Sequence, residues 1–304
     1  MRYFSPIFLT SFFFVSGYLF KERLSFSSMF EHRVRTLLLP FVILGSFMIV
    51  LSEIFSLNTT HIGLVDSFIE LFTQYGRAHI NTMWFIPSLF FYSIAFYILL
   101  RIFDEKNYLL VAIASFILNW AYVYPYNGMS LPFNLQWTGF ACFYMFLGRF
   151  YKMSEWKFDK IFSPVLFIIG MLLYISLITV LDTSGNYFIN FYASPFLLDA
   201  ILLTIIGIYV MIFIGKKLNS RFISFIGANS LLYFALHGKI LSLVNYASIH
   251  IWGDSAIAKS LPVHEIILLS KTIIGALLLV PICYIISSFF PQVLGRGFKL
   301  WKYK

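Results

Sequence analysis

The chain has 304 residues, of which 60% are hydrophobic and 12% are charged, and its net charge is +9. An average soluble domain has roughly 25% charged residues, so this composition argues against a soluble protein and predicts an integral membrane protein. The net charge does not indicate nucleic acid binding, because the Lys and Arg residues lie in short loops between apolar runs and do not form one basic face.

Nine apolar stretches are long enough, or nearly so, to cross about 30 Å of hydrocarbon at about 1.5 Å per residue. They lie near residues 4–20, 37–56, 83–101, 108–124, 136–150, 163–181, 195–214, 222–247 and 265–290. Lipid leaves only helices or closed barrels as spanning structures, and the stretches lack the alternation of a barrel strand. We therefore expect an all-α polytopic membrane protein with about nine transmembrane helices and a single membrane-embedded domain over residues 1–304.

The positive charges predict the orientation of the chain. Every second connection between the apolar stretches is basic, and so is the C-terminal tail. Positive-inside reasoning places this basic set, with the C-terminus, in the cytoplasm. Nine spans would then leave Met1 outside, so we expect one further helix upstream, which would give ten helices with both ends inside.

The longest outer connection, residues 57–82, contains an amphipathic stretch. Seven apolar residues fit one helical face, with Asp66, Glu70, Thr73 and Gln74 opposite. The apolar residues are Leu64, Val65, Phe68, Ile69, Leu71, Phe72 and Tyr75. This pattern predicts a helix lying on the outer leaflet.

Ionisable groups within or at the ends of spans are functional candidates, because they are costly in lipid. They are Glu53, Arg77, His79, Asp182, Asp199, His237, Lys239, Glu265 and Lys271. His237 lies about sixteen residues into its stretch, with Ser230 and Tyr233 near the same helical face. A buried neutral imidazole can act as a general base on a sugar hydroxyl; alternatively, His237 is a polar residue that bridges helices.

Three further side chains lie at the predicted membrane surfaces. His79 precedes a tryptophan-containing stretch at the outer side, where it either meets an extracytoplasmic hydroxyl or is an interface residue. Arg33 and Arg35 face the cytoplasm, where two guanidiniums can bind phosphates bidentately. Their charge alone favours an ordinary topology signal and contact with anionic lipid.

Several common templates are missing from the sequence. Cys142 and Cys283 lie in different apolar segments, with neither a disulfide framework nor metal-ligand spacing, so we expect no metal. There is no Walker motif, GxSxG elbow, zinc-type histidine pair or dinucleotide fingerprint. Soluble-enzyme templates therefore do not apply.

Five motifs in chain order resemble those of the membrane acyltransferase 3 family, and together they extend over essentially the whole chain. They are Phe13-Phe14-Val15-Ser16-Gly17-Tyr18-Leu19-Phe20 with Arg33-x-Arg35 and Leu38-Leu39-Pro40, then Met83-Trp84-Phe85-Ile86-Pro87-Ser88-Leu89-Phe90, Phe146-Leu147-Gly148-Arg149, Ile226-Gly227-Ala228-Asn229-Ser230-Leu231-Leu232-Tyr233-Phe234-Ala235-Leu236-His237, and Pro291-x-x-x-Gly295-Arg296.

This resemblance implies ten helices and transfer of an acyl group, usually acetyl, from cytoplasmic acyl-CoA to a hydroxyl of a cell-surface sugar. It implies acetyl-CoA as donor, with Arg33 and Arg35 beside its phosphates. The implied partners are membrane lipids and a polysaccharide or lipid-linked glycan acceptor at a bacterial plasma membrane. The family's first helix normally carries a histidine proposed as catalytic base, and this chain has none before His32.

That departure leaves three possibilities: a truncated gene product, an inactive relative, or an enzyme in which His237 or His79 serves as the base. The leading hypothesis is a polysaccharide O-acetyltransferase whose histidine deprotonates the acceptor hydroxyl. The alternatives are a non-catalytic transporter or flippase of a lipid-linked sugar and an inactive remnant. Arg33-x-Arg35, together with the lack of visible inverted repeats, favours the enzyme over a transporter.

Overall fold

The structure is a computed structural model that describes residues 5–21, 24–54, 63–73, 83–123, 131–180, 197–218, 220–252 and 261–296. Within these ranges every regular element is helical, which confirms the all-α prediction. The chain divides into two compact units. The first unit is Met1–Ser25 with Phe91–Asn219, and the second unit is Phe26–Phe90 with Ser220–Lys304.

Twelve α-helices occur in the described residues. In chain order they are α1 (Ser5–Tyr18), α2 (Phe26–Arg33), α3 (Leu39–Ile54), α4 (Leu64–Thr73), α5 (Phe85–Ile102), α6 (Tyr108–Val123), α7 (Thr138–Phe158), α8 (Pro164–Val180), α9 (Leu197–Lys217), α10 (Arg221–Ala228), α11 (Ser230–Trp252) and α12 (Leu261–Phe289). A π-helical turn, Val34–Leu38, joins α2 to α3, and short 3-10 helices are formed by Glu105–Asn107, Leu135–Trp137, Asp159–Ile161 and Pro291–Leu294.

Each of the nine predicted apolar stretches falls on helix, but the count of nine spans stays a prediction. Three helical segments of the described residues are long and apolar enough to cross a membrane: Phe26–Val50, Phe85–Ile102 and Ile266–Phe289. Ile7–Tyr18 and Pro164–Val180 are apolar but shorter. The predicted stretch 222–247 is two helices, since α10 ends at Ala228 and α11 begins at Ser230.

Large apolar side chains are exposed along α8 and α12. They include Val165, Ile168, Leu172, Val180, Ile266, Leu269, Leu277 and Ile285. Exposed apolar surface of this extent marks contact with a membrane or a partner. With the apolar composition of the helices, it agrees with an integral membrane protein.

In the first unit, α1 and α7 cross with their backbones in direct contact. A Cβ atom at Gly17 would collide with the backbone of Met145, and one at Gly148 would collide with the carbonyl oxygen of Phe14. Small residues allow this close approach between helices in lipid, where dispersion contacts replace the hydrophobic effect as the source of association. The two glycines therefore fix where α1 meets α7.

Polar contacts join the same two helices to α9. Tyr18 donates a hydrogen bond to Glu155 Oε2 at 3.0 Å, and Lys216 Nζ lies 3.1 Å from Glu155 Oε1. Deeper in this unit the hydroxyls of Tyr144 and Thr204 lie 2.6 Å apart. These pairs join residues that are far apart in sequence, so they tie α1, α7 and α9 into one bundle.

In the second unit, α4 packs on α3 through Leu71, which is fully buried beside Gly45. The predicted apolar face of this helix is thus divided between two environments. Leu71 contacts α3, whereas Val65, Ile69 and Phe72 are exposed. Leu71 holds the helix on α3, and the exposed stripe leaves apolar surface for the membrane contact, which stays a prediction.

The α1–α7 contact generates a stability prediction. Gly148→Ala should lower the free energy of unfolding by about 1–3 kcal/mol, the usual cost of overpacking a close contact. Gly215→Ala is the matched control, because no atom lies within 4 Å of a Cβ placed at this glycine of α9. There the added methyl group should stabilise the helix by roughly 0.5–1 kcal/mol. Thermal melting of both variants in detergent checks this, and equal melting temperatures would contradict it.

Candidate functional site

Arg33 and Arg35 lie where the helix of the second unit changes its winding. Arg33 ends α2, and Arg35 lies within the π-helical turn that leads into α3. Thr36 donates a hydrogen bond to the carbonyl of His32 at 2.7 Å, within the same turn. Single π-helical turns occur frequently at functional sites, and this one carries the predicted phosphate-binding pair.

The spacing of the two arginines predicts that they lie on different helical faces. Residues two apart on an α-helix are separated by about 200° at 3.6 residues per turn. Arg35 is turned toward the end of the chain, since its carbonyl carbon lies 2.7 Å and its Cγ 2.9 Å from the position that a Cβ of Gly295 would occupy. Arg33 is therefore expected on another side of the turn, so the sequence spacing alone does not make a clamp.

Gly295 is the residue that allows the closing segment to reach Arg35. It follows the 3-10 helix Pro291–Leu294 with a φ of +66°, a conformation that L side chains rarely adopt. A Cβ there would also collide with the Arg35 carbonyl oxygen. Both its backbone conformation and the lack of space thus require glycine.

Arg296 continues from this contact to the junction of α10 and α11. Its Nη2 donates to the carbonyl of Ala228 at 2.8 Å and lies 3.5 Å from Asn229 Oδ1. Asn229 is buried, and its side-chain amide donates to the Phe225 carbonyl at 3.0 Å. The structure thereby brings together three motifs. They are the arginine motif, Arg33-x-Arg35, the closing motif, Pro291-x-x-x-Gly295-Arg296, and the start of the histidine motif, Ile226–His237.

His237 lies two turns into α11, about 12 Å along the helix axis from Asn229. Its Nδ1 is 2.7 Å from the carbonyl oxygen of Phe234 and 3.2 Å from that of Tyr233. A carbonyl oxygen only accepts hydrogen bonds, so in the neutral ring Nδ1 carries the proton and Nε2 carries the lone pair. These two contacts hold the ring through Nδ1 and do not involve Nε2.

Tyr233 presents a hydroxyl one turn before His237. The oxygen is buried, and no hydrogen-bond partner lies within reach in the part of the chain that the structure describes. Cys283 of α12 is fully buried nearby. A buried hydroxyl without a partner is costly.

The tryptophan motif contacts the histidine helix through aromatic rings. The ring centroids of Phe85 and Phe234 are 5.1 Å apart, and those of Phe234 and His237 are 5.7 Å apart. Met83, Trp84 and Phe85 are all buried. The tryptophan motif, Met83–Phe90, therefore packs against the helix that carries His237.

Several predicted candidates lie elsewhere. His79, Arg77 and Asp182 fall outside the described residues, so the role of His79 stays a prediction. In α12, Lys271 donates to Asn245 Oδ1 of α11 at 2.9 Å, a pair that sequence reasoning missed because it considered Lys271 alone. Among the described residues, no three His, Cys, Asp or Glu side chains are placed to hold a metal ion.

Comparison with known proteins identifies a family. A family model for the acyltransferase domain of the acyltransferase 3 type matches residues 1–288. No curated protein and no solved structure matches the chain. The matched range includes four of the five motifs, and Gly295 and Arg296 lie beyond its end.

The unpartnered hydroxyl of Tyr233 generates a second prediction. Tyr233→Phe should leave the free energy of unfolding unchanged or raise it by up to about 1 kcal/mol, because the change removes a buried group that lacks a hydrogen bond. Tyr92→Phe is the matched control, since the buried Tyr92 hydroxyl donates to the Asn134 carbonyl at 2.6 Å. That variant should lose about 1–3 kcal/mol. If both variants melt equally early, the Tyr233 hydroxyl has a partner in the protein.

Proposed function

The chain belongs to the acyltransferase 3 family, and on that premise we propose that it is a membrane-bound O-acetyltransferase. It would move an acetyl group from cytoplasmic acetyl-CoA to a hydroxyl of a cell-surface polysaccharide or its lipid-linked precursor. The observation that carries the proposal is the meeting of the Arg35 turn with the start of the His237 helix, through Gly295 and Arg296. The proposed donor-binding turn, which carries Arg35, and the helix of the candidate base, His237, are thereby connected within one unit.

The donor end of the proposed site is the π-helical turn. Arg33 and Arg35 would bind the phosphates of the CoA nucleotide, because guanidinium groups form charge-assisted, bidentate hydrogen bonds with phosphate oxygens. If the two side chains leave the helix on different sides, as their spacing predicts, they would contact different phosphates or opposite edges of the nucleotide.

The candidate base lies deeper along α11. CoA separates its thioester from its phosphates by the pantetheine arm, so the base must lie well away from the arginines. His237 is the candidate, since it lies about 12 Å along the chain's helical rise from Asn229, whose neighbour Ala228 accepts a hydrogen bond from Arg296. Its neutral Nε2 supplies the lone pair that deprotonation of a hydroxyl requires.

The proposed reaction is a direct transfer. His237 Nε2 takes the proton of the acceptor hydroxyl while the hydroxyl oxygen attacks the thioester carbonyl. The new C–O bond forms, the C–S bond breaks, and the CoA thiolate leaves and receives the proton from the imidazolium. No covalent enzyme intermediate and no metal enters this scheme.

The location of the protein in the membrane belongs to the same proposal. The alternation of basic and non-basic connections supports a bacterial plasma membrane protein with a cytoplasmic C-terminus. The membrane lipids and the glycan acceptor are its proposed partners. The tenth helix upstream of Met1 stays a prediction of the sequence.

Replacing both Arg33 and Arg35 with Ala tests the donor end. The double variant should lose at least about 100-fold in acetyl-CoA affinity, because each charged hydrogen-bonded contact contributes about 1.5–3 kcal/mol. Arg221→Ala is the control, an exposed arginine of α10 in the same unit. Calorimetry with acetyl-CoA and O-acetylation in proteoliposomes measure the effect. Undiminished acetylation in the double variant would show that neither arginine binds the donor. A wild-type protein that binds no acetyl-CoA would favour the alternative, a sugar transporter.

Replacing His237 with Asn tests the base. The asparagine amide can still donate to the Phe234 carbonyl, as Nδ1 does, but it has no counterpart of Nε2. We expect kcat to fall about 10²–10⁴-fold with acetyl-CoA affinity unchanged.

The control for this variant is His250→Asn. His250 lies on the same helix with the same arrangement, its Nδ1 being 3.1 Å from the Tyr246 carbonyl, but it is exposed. Its replacement should leave kcat unchanged. Full activity of His237→Asn would refute the assignment, and loss of activity in His79→Asn would then make His79 the base.

A further inference from the structure

We propose that Arg296 is a positioning residue that holds the start of α11 against the Arg35 turn and so fixes the separation of Arg35 from His237. The inference rests on the proposed function for its consequence in catalysis. Its structural part rests on the contacts of Arg296 alone. Arg296 would act through these two elements and would not itself contact the reacting atoms.

The first contact lies at the end of α10. The last carbonyl groups of a helix have no partner within the helix, and they carry the negative end of its dipole. Arg296 Nη2 donates to the carbonyl of Ala228, the last residue of α10, at 2.8 Å. A guanidinium is thus placed where a helix end needs both a donor and a positive charge.

Asn229 connects this contact to the first turn of α11. Its backbone N–H donates to the carbonyls of Phe225 and Ile226, and its own carbonyl accepts from Leu232 and Tyr233 at 2.9 and 3.1 Å. The same buried residue therefore closes α10 and opens α11. The contacts of Arg296 with Ala228 and with the Asn229 side chain therefore also fix the turn that carries Tyr233.

The backbone of Arg296 is anchored on the opposite side. Its N–H donates to the Pro291 carbonyl at 3.0 Å, and Gly295 donates to Gln292 at 2.9 Å. Gly295 itself lies against the Arg35 carbonyl. Arg296 therefore has one end fixed to the Arg35 turn and the other fixed to the α10–α11 junction, which makes it a link between two parts of the proposed site.

The contacts of Arg296 suit it to linking protein elements. Its Nη2 already donates to protein acceptors, whereas a bidentate phosphate contact needs two donors of the guanidinium. The side chain is partly open to solvent, so its effect on overall stability is expected to be small. The effect of its loss should therefore appear locally, in the position of α11.

The test compares Arg296→Gln with Arg296→Lys and with Arg221→Gln as control. Hydrogen–deuterium exchange should rise at least about tenfold at residues 229–233 in Arg296→Gln, and it should stay unchanged in Arg221→Gln. The donor KM for acetyl-CoA should rise about tenfold, a change of about 1.4 kcal/mol, while the acceptor KM stays unchanged. Arg296→Lys should restore the donor KM to within about threefold, since its ammonium can still donate to Ala228.

The outcomes separate this inference from the proposed function. If the wild-type protein neither binds acetyl-CoA nor acetylates, the proposed function falls, and the exchange at residues 229–233 alone decides whether Arg296 holds α11. Unchanged exchange in Arg296→Gln would overturn the inference. Raised exchange with an unchanged donor KM in an active enzyme would also overturn it, because Arg296 would then stabilise the junction without positioning the site.

Discussion

Contact between backbones at glycine residues is the constraint on which the structure depends. In the first unit Gly17 and Gly148 let α1 and α7 touch, and in the second unit Gly295 lets the closing segment reach the Arg35 turn. Helices in lipid gain little from the hydrophobic effect, so small residues and close packing decide where they meet. A backbone contact leaves no side chain that can adjust, and it fixes position more strictly than a contact between long side chains.

This constraint explains why the motifs occur as they do. The Ser16-Gly17-Tyr18 motif contacts the Phe146-Leu147-Gly148-Arg149 motif in the first unit. In the second unit the closing motif contacts both the arginine motif and the start of the histidine motif, and Phe85 contacts Phe234. Each motif thus takes part in a packing contact with another motif. Most motif residues serve to hold elements together, and few of them, His237 and the arginines first, have side chains suited to the proposed chemistry.

Hydropathy located the long apolar helices, because length and apolar composition mark a candidate spanning segment. It did not reveal the break at Asn229, where two polar residues interrupt a long apolar run and only the buried contacts of Asn229 end the helix. The sequence also did not reveal the π-helical turn, since Val34-Arg35-Thr36-Leu37-Leu38 suits an α-helix equally well. Contacts such as Tyr18 with Glu155 join residues 137 apart in sequence, and no local pattern encodes them.

The polar groups along α11 differ in how the protein accommodates them. Charge is costly in an apolar medium, and two cations beside this helix donate to protein acceptors: Arg296 to the Ala228 carbonyl before its start, and Lys271 to Asn245 within it. Lys239 lies within the helix itself, two residues after His237. His237 differs from these cations, because its Nδ1 contacts two carbonyls of its own helix. In the proposed transfer this imidazole would take one proton from the acceptor hydroxyl and release it to the CoA thiolate in the same cycle.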